Sequence, residues 1–382
     1  LKLIINELSN FVWILNGKYI MKRKILFIAL FLIPVMAWPA NEELKYVDAQ
    51  HLTLVGKVMP TPANVYHRVD TVKYGNMPGA VKRLFTYSAG LAVCFKTNST
   101  NVTARWVTRN KGVMGNMTPI AQRGLDLYIY TDGQWIPAGV GTPIAGKTHL
   151  ECRIAQHVKP EEHQFMLYLP LFEELLSLEI GVDSAATIEA IPSPFRHTVL
   201  VYGSSILHGA CASRSGLTYP ARLSRSTDIN FINYGVSGNG KMEASVADML
   251  KDIEADAFVL DCMPNPSPEE ITERTPYFVN TLRKYHPGVP IIMIESYMRE
   301  KGYSDQQVYD RCRRQSQAFI EQYELLKKQG VPDLYLIRDQ QAIGTDHEGS
   351  LDGVHPNDVG FERMAKQYGP QLMEILEKYG IE

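Results

Sequence analysis

Apolar and polar positions alternate with a period of two through much of the first half of the chain. Residues 91–97, 101–107, 125–130, 164–169 and 187–191 each read as a strand with one face to be covered. Turn-forming residues separate them, as in Asn98-Ser99-Thr100-Asn101 and Thr131-Asp132-Gly133. Short strands punctuated in this way predict an all-β sandwich over residues 41–192, jelly-roll-like, with its strand order open.

After Ile191-Pro192-Ser193-Pro194 the period changes. Short runs that are apolar throughout occur at 197–202, 229–232, 257–260, 290–294 and 333–337. Amphipathic stretches near 217–225, 242–254, 268–286, 305–329 and 358–379 alternate with them. A strand without alternation is buried on both faces, as in a parallel sheet between helix layers. Residues 193–382 are therefore predicted to form a doubly wound α/β domain, with its chemistry outside the carboxyl ends of the strands.

The beginning of the chain adds a leader. The first Met is Met21, followed by Lys22-Arg23-Lys24 and an apolar run over 25–37, with Val35 and Ala37 as the small residues before a cleavage site. That is the pattern of a secretory signal peptide cut near Ala37, so residues 1–40 are expected to be leader, with 1–20 an upstream extension. The mature protein is then secreted or periplasmic. An N-terminal membrane anchor is the alternative reading, but the run is shorter than the ~20 residues of a comfortable span. With 45% apolar and 21% charged residues and a net charge of −2, nothing electrostatic favours nucleic acid or an anionic membrane as partner. The five cysteines, Cys94, Cys152, Cys211, Cys262 and Cys312, show no CxxC spacing, which argues against a zinc cluster. Cys211 and Cys262 lie near two candidate site segments; a bridge between them and buried free thiols both stay open.

Candidate chemistry gathers at the predicted strand ends. The first strand runs into Gly203-Ser204-Ser205-Ile206, where a serine after a tight turn would stand near helix N-terminal amides that favour an oxyanion. It is not the nucleophile elbow G-x-S-x-G, since Leu207 replaces the second glycine. The second strand ends in Asn233-Tyr234-Gly235-Val236-Ser237-Gly238, whose loop would offer a backbone N–H. The third ends near Asn265, held stiffly between Pro264 and Pro266. Before the last helix, Asp352-Gly353-Val354-His355 places a carboxylate three residues from an imidazole, the pairing that fixes a histidine tautomer. Each piece alone has a plain structural reading as a turn or cap; together they follow nucleophile, base and orienter logic. His208 and Arg214 lie just past the serine and are candidates for either pocket lining or structure. The histidine spacing suits no metal, and no cofactor is expected.

With these blocks in this order, residues ~197–380 resemble the SGNH hydrolases, also called GDSL esterases or lipases. The resemblance implies a three-layer α/β/α flavodoxin-like fold and cofactor-free ester hydrolysis. It implies Ser205 as nucleophile, His355 as base, Asp352 as its partner, and the Ser205 N–H, Gly238 N–H and Asn265 side chain as oxyanion donors. Two positions depart from the family pattern: Ser204 stands where Asp is common, and Met263-Pro264-Asn265-Pro266 replaces Gly-x-Asn-Asp. A β-rich region ahead of such a domain is similar to two-domain bacterial carbohydrate esterases, which implies a small-molecule or polysaccharide ester as substrate, with acetyl as the acyl group. A lipid or thioester acylhydrolase and a catalytically silent glycan-binding protein are the alternatives.

Overall fold

The computed structural model describes residues 43–338 and 341–382; the expected leader lies outside the described residues. The first half holds strands β1 (Leu44–Asp48), β2 (Thr53–Val55), β3 (Ala92–Thr97), β4 (Val102–Thr108), β5 (Leu125–Thr131), β6 (Gln134–Gly141), β7 (His149–Ala155), β8 (His163–Tyr168), β9 (Leu175–Asp183) and β10 (Ile188–Ala190). They form two antiparallel sheets, one ordered β1-β9-β4-β7 and the other β10-β3-β8-β5-β6 with β2 also on β3. Alternation decides the facing sides. Leu178, Ile180 and Trp106 of one sheet meet Phe95, Leu127 and Phe165 of the other in a shared core, while Ser177 and Glu179 face outward. The opposite face of the larger sheet is apolar too: Ala92, Cys94, Tyr128, Met166 and Tyr168 pack on Ala221 of the second half.

The second half is a parallel sheet of β11 (His197–Gly203), β12 (Ile229–Gly235), β13 (Ala257–Asp261), β14 (Ile291–Glu295) and β15 (Leu334–Arg338), ordered β12-β11-β13-β14-β15. Counted within this half the order is 2-1-3-4-5, the flavodoxin-like winding. The helices are α1 (Gly79–Phe85) and α2 (Pro119–Arg123) in the first half, then α3 (Ser205–His208), α4 (Tyr219–Ser226), α5 (Ala244–Leu250), α6 (Pro268–Tyr285), α7 (Gln306–Lys328) and α8 (Asp358–Leu376). Along β11, Leu200 and Tyr202 point to the core shared with α5, α6 and α7. Val199 and Val201 point to the core shared with α4 and α8. That two-sided burial is why the strand reads as an unbroken apolar run. No helix among the described residues is long and apolar enough to cross a membrane.

The two halves share side chains. Val81, Leu84 and Phe85 of α1 belong to the core of the parallel sheet. Arg68, fully buried, donates through Nη1 to the carbonyls of Asn233 (2.7 Å) and Gly235 (2.9 Å) and through Nη2 to that of Leu84 (2.7 Å). A charge-assisted donor on these carbonyls fixes the end of β12 from the first half of the chain. Residues 43–382 accordingly form one compact unit.

Candidate active site

β11 ends at Gly203, a position that takes glycine because a Cβ there would lie 2.4 Å from the carbonyl oxygen of Asp261 on the neighbouring strand. Ser204 then caps the short helix α3, its Oγ accepting the Ile206 N–H at 3.2 Å. Serine and aspartate are both good N-cap residues, so the departure at Ser204 preserves the local turn. Ser205 opens the helix, where its N–H has no intrahelical acceptor. Its Oγ lies 2.9 Å from Nε2 of His355.

The histidine comes from the loop before α8. His355 Nδ1 is 2.8 Å from Asp352 Oδ2, and Asp352 Oδ1 accepts the N–H groups of His355 (2.8 Å) and Val354 (3.0 Å). Asn116, from the first half, donates to Asp352 Oδ2 at 3.2 Å. Burial by itself would raise the Asp352 carboxyl, but these accepted hydrogen bonds hold it far below the usual carboxylate range. Distant elements pin the loop. Tyr297 Oη donates to the Val354 carbonyl (2.8 Å), Lys301 N–H to that of Gly353 (2.8 Å), and Ser350 Oγ to that of His355 (2.9 Å).

The second and third loops meet beside the serine turn. Gly240 packs so tightly against it that a Cβ would lie 2.3 Å from the Gly203 carbonyl. Its N–H donates to Asn265 Oδ1 at 3.1 Å, so the Asn265 carbonyl oxygen is committed to the second loop and its NH₂ group is turned away from that contact. Buried Gln315 donates to the carbonyls of Met263, Pro264 and Pro266, holding the loop that carries Asn265. Gly238 stands in the left-handed region at φ +71°, a conformation that glycine adopts without strain.

His208 and Arg214 take structural places. His208 is fully buried, stacked on Phe172 with ring centroids 4.0 Å apart, and its Nε2 is 2.7 Å from the Leu171 carbonyl. Burial, and then the charge of Arg68, push its pKa well down, so it is neutral. Arg214 reaches the first half, where its Nη1 lies 2.5 Å from Oδ1 of fully buried Asp126. Asp126 Oδ2 also accepts the Gly216 N–H at 2.9 Å. Burial pushes the Asp126 carboxyl up despite the pull of Arg214. Removing one partner of such a pair leaves a desolvated charge. Asp126→Ala is expected to cost about 3–5 kcal/mol in chemical denaturation, and adding Arg214→Met to restore much of the loss.

Asp261, at the end of β13, accepts a hydrogen bond from Tyr219 Oη at 2.8 Å, yet burial pushes its carboxyl up to about 7. The unfolded chain releases this proton near pH 4. The folded chain holds it to about 7, so this group's contribution is complete below pH ~4 and lost as pH rises through ~7. Asp261→Asn keeps an acceptor for Tyr219. It is expected to raise the melting temperature at pH 8 by a few degrees and to change it little at pH 5.

Cys94, Cys152, Cys211, Cys262 and Cys312 are all free thiols, so the bridge between Cys211 and Cys262 is not formed. Instead Cys211 Sγ lies 3.6 Å from Asp352 Oδ2.

Residues 196–373 match the model of the GDSL-like lipase/acylhydrolase family. Residues 44–188 match a model described as the N-terminus of SGNH hydrolase-type esterases. That model is named for the pattern GxDLY, present here as Gly124-Leu125-Asp126-Leu127-Tyr128, with the buried Asp126 at its centre. Among solved structures, the chain is 53% identical to a protein from Bacteroides ovatus described as a GDSL-like lipase, with a TM-score of 0.86 over 88% of this chain and 98% of that one. It is 18% identical to a salicylyl-acyltransferase from a tetracycline biosynthetic pathway, with a TM-score of 0.67 over 88% and 98% of the two chains. It is 13% identical to a family two carbohydrate esterase from Cellvibrio japonicus, with a TM-score of 0.58 and the same coverage. At those identities the last two share the fold. Among curated proteins no sequence matches.

Proposed function

We propose, for a chain that belongs to the GDSL-like lipase/acylhydrolase family and is therefore a carboxylic ester hydrolase, that it is a secreted serine esterase removing O-acyl groups, acetyl foremost, from carbohydrate. The observation that carries the mechanism is the continuous chain Ser205 Oγ, His355 Nε2, His355 Nδ1, Asp352 Oδ2, with links of 2.9 and 2.8 Å beside the carboxyl end of β11. Ser205 attacks the ester carbonyl while His355 takes its proton and returns it to the leaving alcohol. Water, activated by His355, then hydrolyses the acyl-enzyme. The Ser205 N–H, the Gly238 N–H and the Asn265 amide hold the oxyanion.

Asn265→Ala is expected to lower kcat about 10²–10³-fold with little change in KM. Asn265→Asp, which keeps the acceptor for the Gly240 N–H but removes the donor, is expected to fall at least as far. Steady-state kinetics on both variants separate lost donation from a loosened loop.

The fold shared with the carbohydrate esterase supports a glycan substrate, and the leader pattern from Met21 supports export. We read residues 41–192 as a jelly-roll sandwich domain ahead of a hydrolase domain at 193–382. Without β2 and β10, the first-half strands numbered in chain order give sheets 1-8-3-6 and 2-7-4-5, the jelly-roll arrangement. The test is hydrolysis by protein starting at residue 38 of p-nitrophenyl acetate, longer p-nitrophenyl esters, an acyl thioester and acetylated oligosaccharides. Preference for the acetylated sugars supports the proposal. Preference for long-chain esters or the thioester replaces it with lipid or thioester hydrolysis. Glycan binding by folded protein with no turnover of any ester replaces it with a binding role.

A further inference from the structure

We propose that Cys211, Asp352 and His355 form an inhibitory site for a thiophilic divalent cation of the zinc class, which stops the esterase by taking His355 out of the triad. The effect on activity rests on the triad reading above; the binding itself does not.

One donor atom from each of the three residues lies within 4.8 Å of the other two. Cys211 Sγ is 3.6 Å from Asp352 Oδ2, which is 2.8 Å from His355 Nδ1. A tetrahedral zinc site, with bonds of ~2.0 Å to N and O and ~2.3 Å to S, sets its donors roughly 3.3–3.6 Å apart. The sulfur–oxygen separation already fits, and the nitrogen and oxygen need to part by only about half an ångström. A thiolate, an imidazole and a carboxylate are a donor set that zinc accepts. The site is reachable, since the side chains of Asp352 and His355 keep 30% and 19% of their exposure, and water can take the fourth position.

The ligands are also held in place. Cys211 sits at φ +73°, rare for a residue with a side chain, and its N–H is 2.9 Å from Met117 Sδ. Asn116 donates to the Asp352 oxygen that would ligate, the kind of outer contact that orients a metal ligand. Sequence spacing hides this cluster, because Cys211 and Asp352 are 141 residues apart.

The protons balance without any change of oxidation state. The Cys211 thiol releases its proton to solvent as sulfur binds the cation. His355 binds through Nδ1, so the proton on that nitrogen moves to Nε2. The imidazole then points an N–H at Ser205 Oγ and has no lone pair left to receive the serine proton. Binding therefore silences the nucleophile in a folded protein.

The experiment uses chelator-treated enzyme titrated with Co2+ and, separately, Zn2+. Co2+ is expected to give a thiolate-to-metal charge-transfer band in the near ultraviolet, saturating at one equivalent in the parent and absent in Cys211→Ser and Cys211→Ala. Zn2+ is expected to inhibit p-nitrophenyl acetate hydrolysis, reversibly with chelator. In both variants the inhibition midpoint should rise on the order of tenfold or more, each measured against its own metal-free rate. Thermal melts confirm that the variants are folded. No charge-transfer band in the parent, or the same inhibition midpoint in parent and variants, overturns the proposal. A band in a protein that hydrolyses no ester keeps the metal site and removes the hydrolase reading instead.

Discussion

Ser205→Ala is expected to lower kcat on p-nitrophenyl acetate by about 10⁵–10⁶-fold, leaving the fold and melting temperature within ordinary surface-mutation error. The size follows from what the hydroxyl does. In the proposed mechanism it is the atom that forms the covalent intermediate, and Ser204 does not stand in for it, since Ser204 Oγ faces away into its cap with Ile206 N–H. The cysteine nearest the triad, Cys211, is held as a neutral thiol because burial, and then Asp352, push its pKa up to about 12. What survives is catalysis by the oxyanion donors acting on attacking water. Steady-state kinetics with an active-site titration check this, since traces of parent enzyme would otherwise set the floor.

Asp352→Asn is expected to cost about 10⁴-fold in kcat with almost no change in structure. Asp352 Oδ1 accepts two backbone N–H groups, and Oδ2 accepts from His355 Nδ1 and Asn116. Every contact is a donor aimed at a carboxylate oxygen. An asparagine NH₂ in either position faces donors, and the cheapest relief is for His355 to give up the proton on Nδ1 and accept there. The proton then sits on Nε2, toward Ser205, in the tautomer that cannot act as base. The pH profile of kcat/KM distinguishes this from simple loosening. The variant should recover activity as pH rises into the range where hydroxide replaces the general base, while the parent, whose His355 keeps Nε2 free to accept the serine proton, should plateau.

The parts of the site legible in the sequence are those fixed by local geometry. Gly203 and Ser204 build the turn that sets Ser205 at the head of its helix, and the three-residue step from Asp352 to His355 lets one carboxylate hold both the backbone and the ring of the same residue. The apolar runs at 197–202 and 257–260 were legible for a similar reason, since burial on both faces leaves no polar interruption. What escaped is long-range. Asn116 reaches Asp352 across 236 residues, Arg68 reaches Asn233 across 165, and Asp126 meets Arg214 across 88. Asp126 alternates with Leu125 and Leu127 as an outward residue of a one-sided sheet would, and nothing nearby shows that the second half covers that outer face. Strand β6 carries Pro137, which is tolerated because β6 is an edge strand of its sheet, paired there only with β5. His208 and Arg214, close to Ser205 in sequence, turned inward as packing and ion-pair residues, because the helix that His208 ends is only four residues long and the chain drops back into the core at once.

The proposed mechanism stands on Ser205 as the residue that forms the covalent intermediate. Its most direct test is to inactivate the enzyme with a fluorophosphonate and map the adduct by peptide mass spectrometry. The expected result is a single modification on Ser205, formed in step with loss of esterase activity and abolished in His355→Ala. A stoichiometric adduct on any other residue, or full inactivation with Ser205 unmodified, would contradict it.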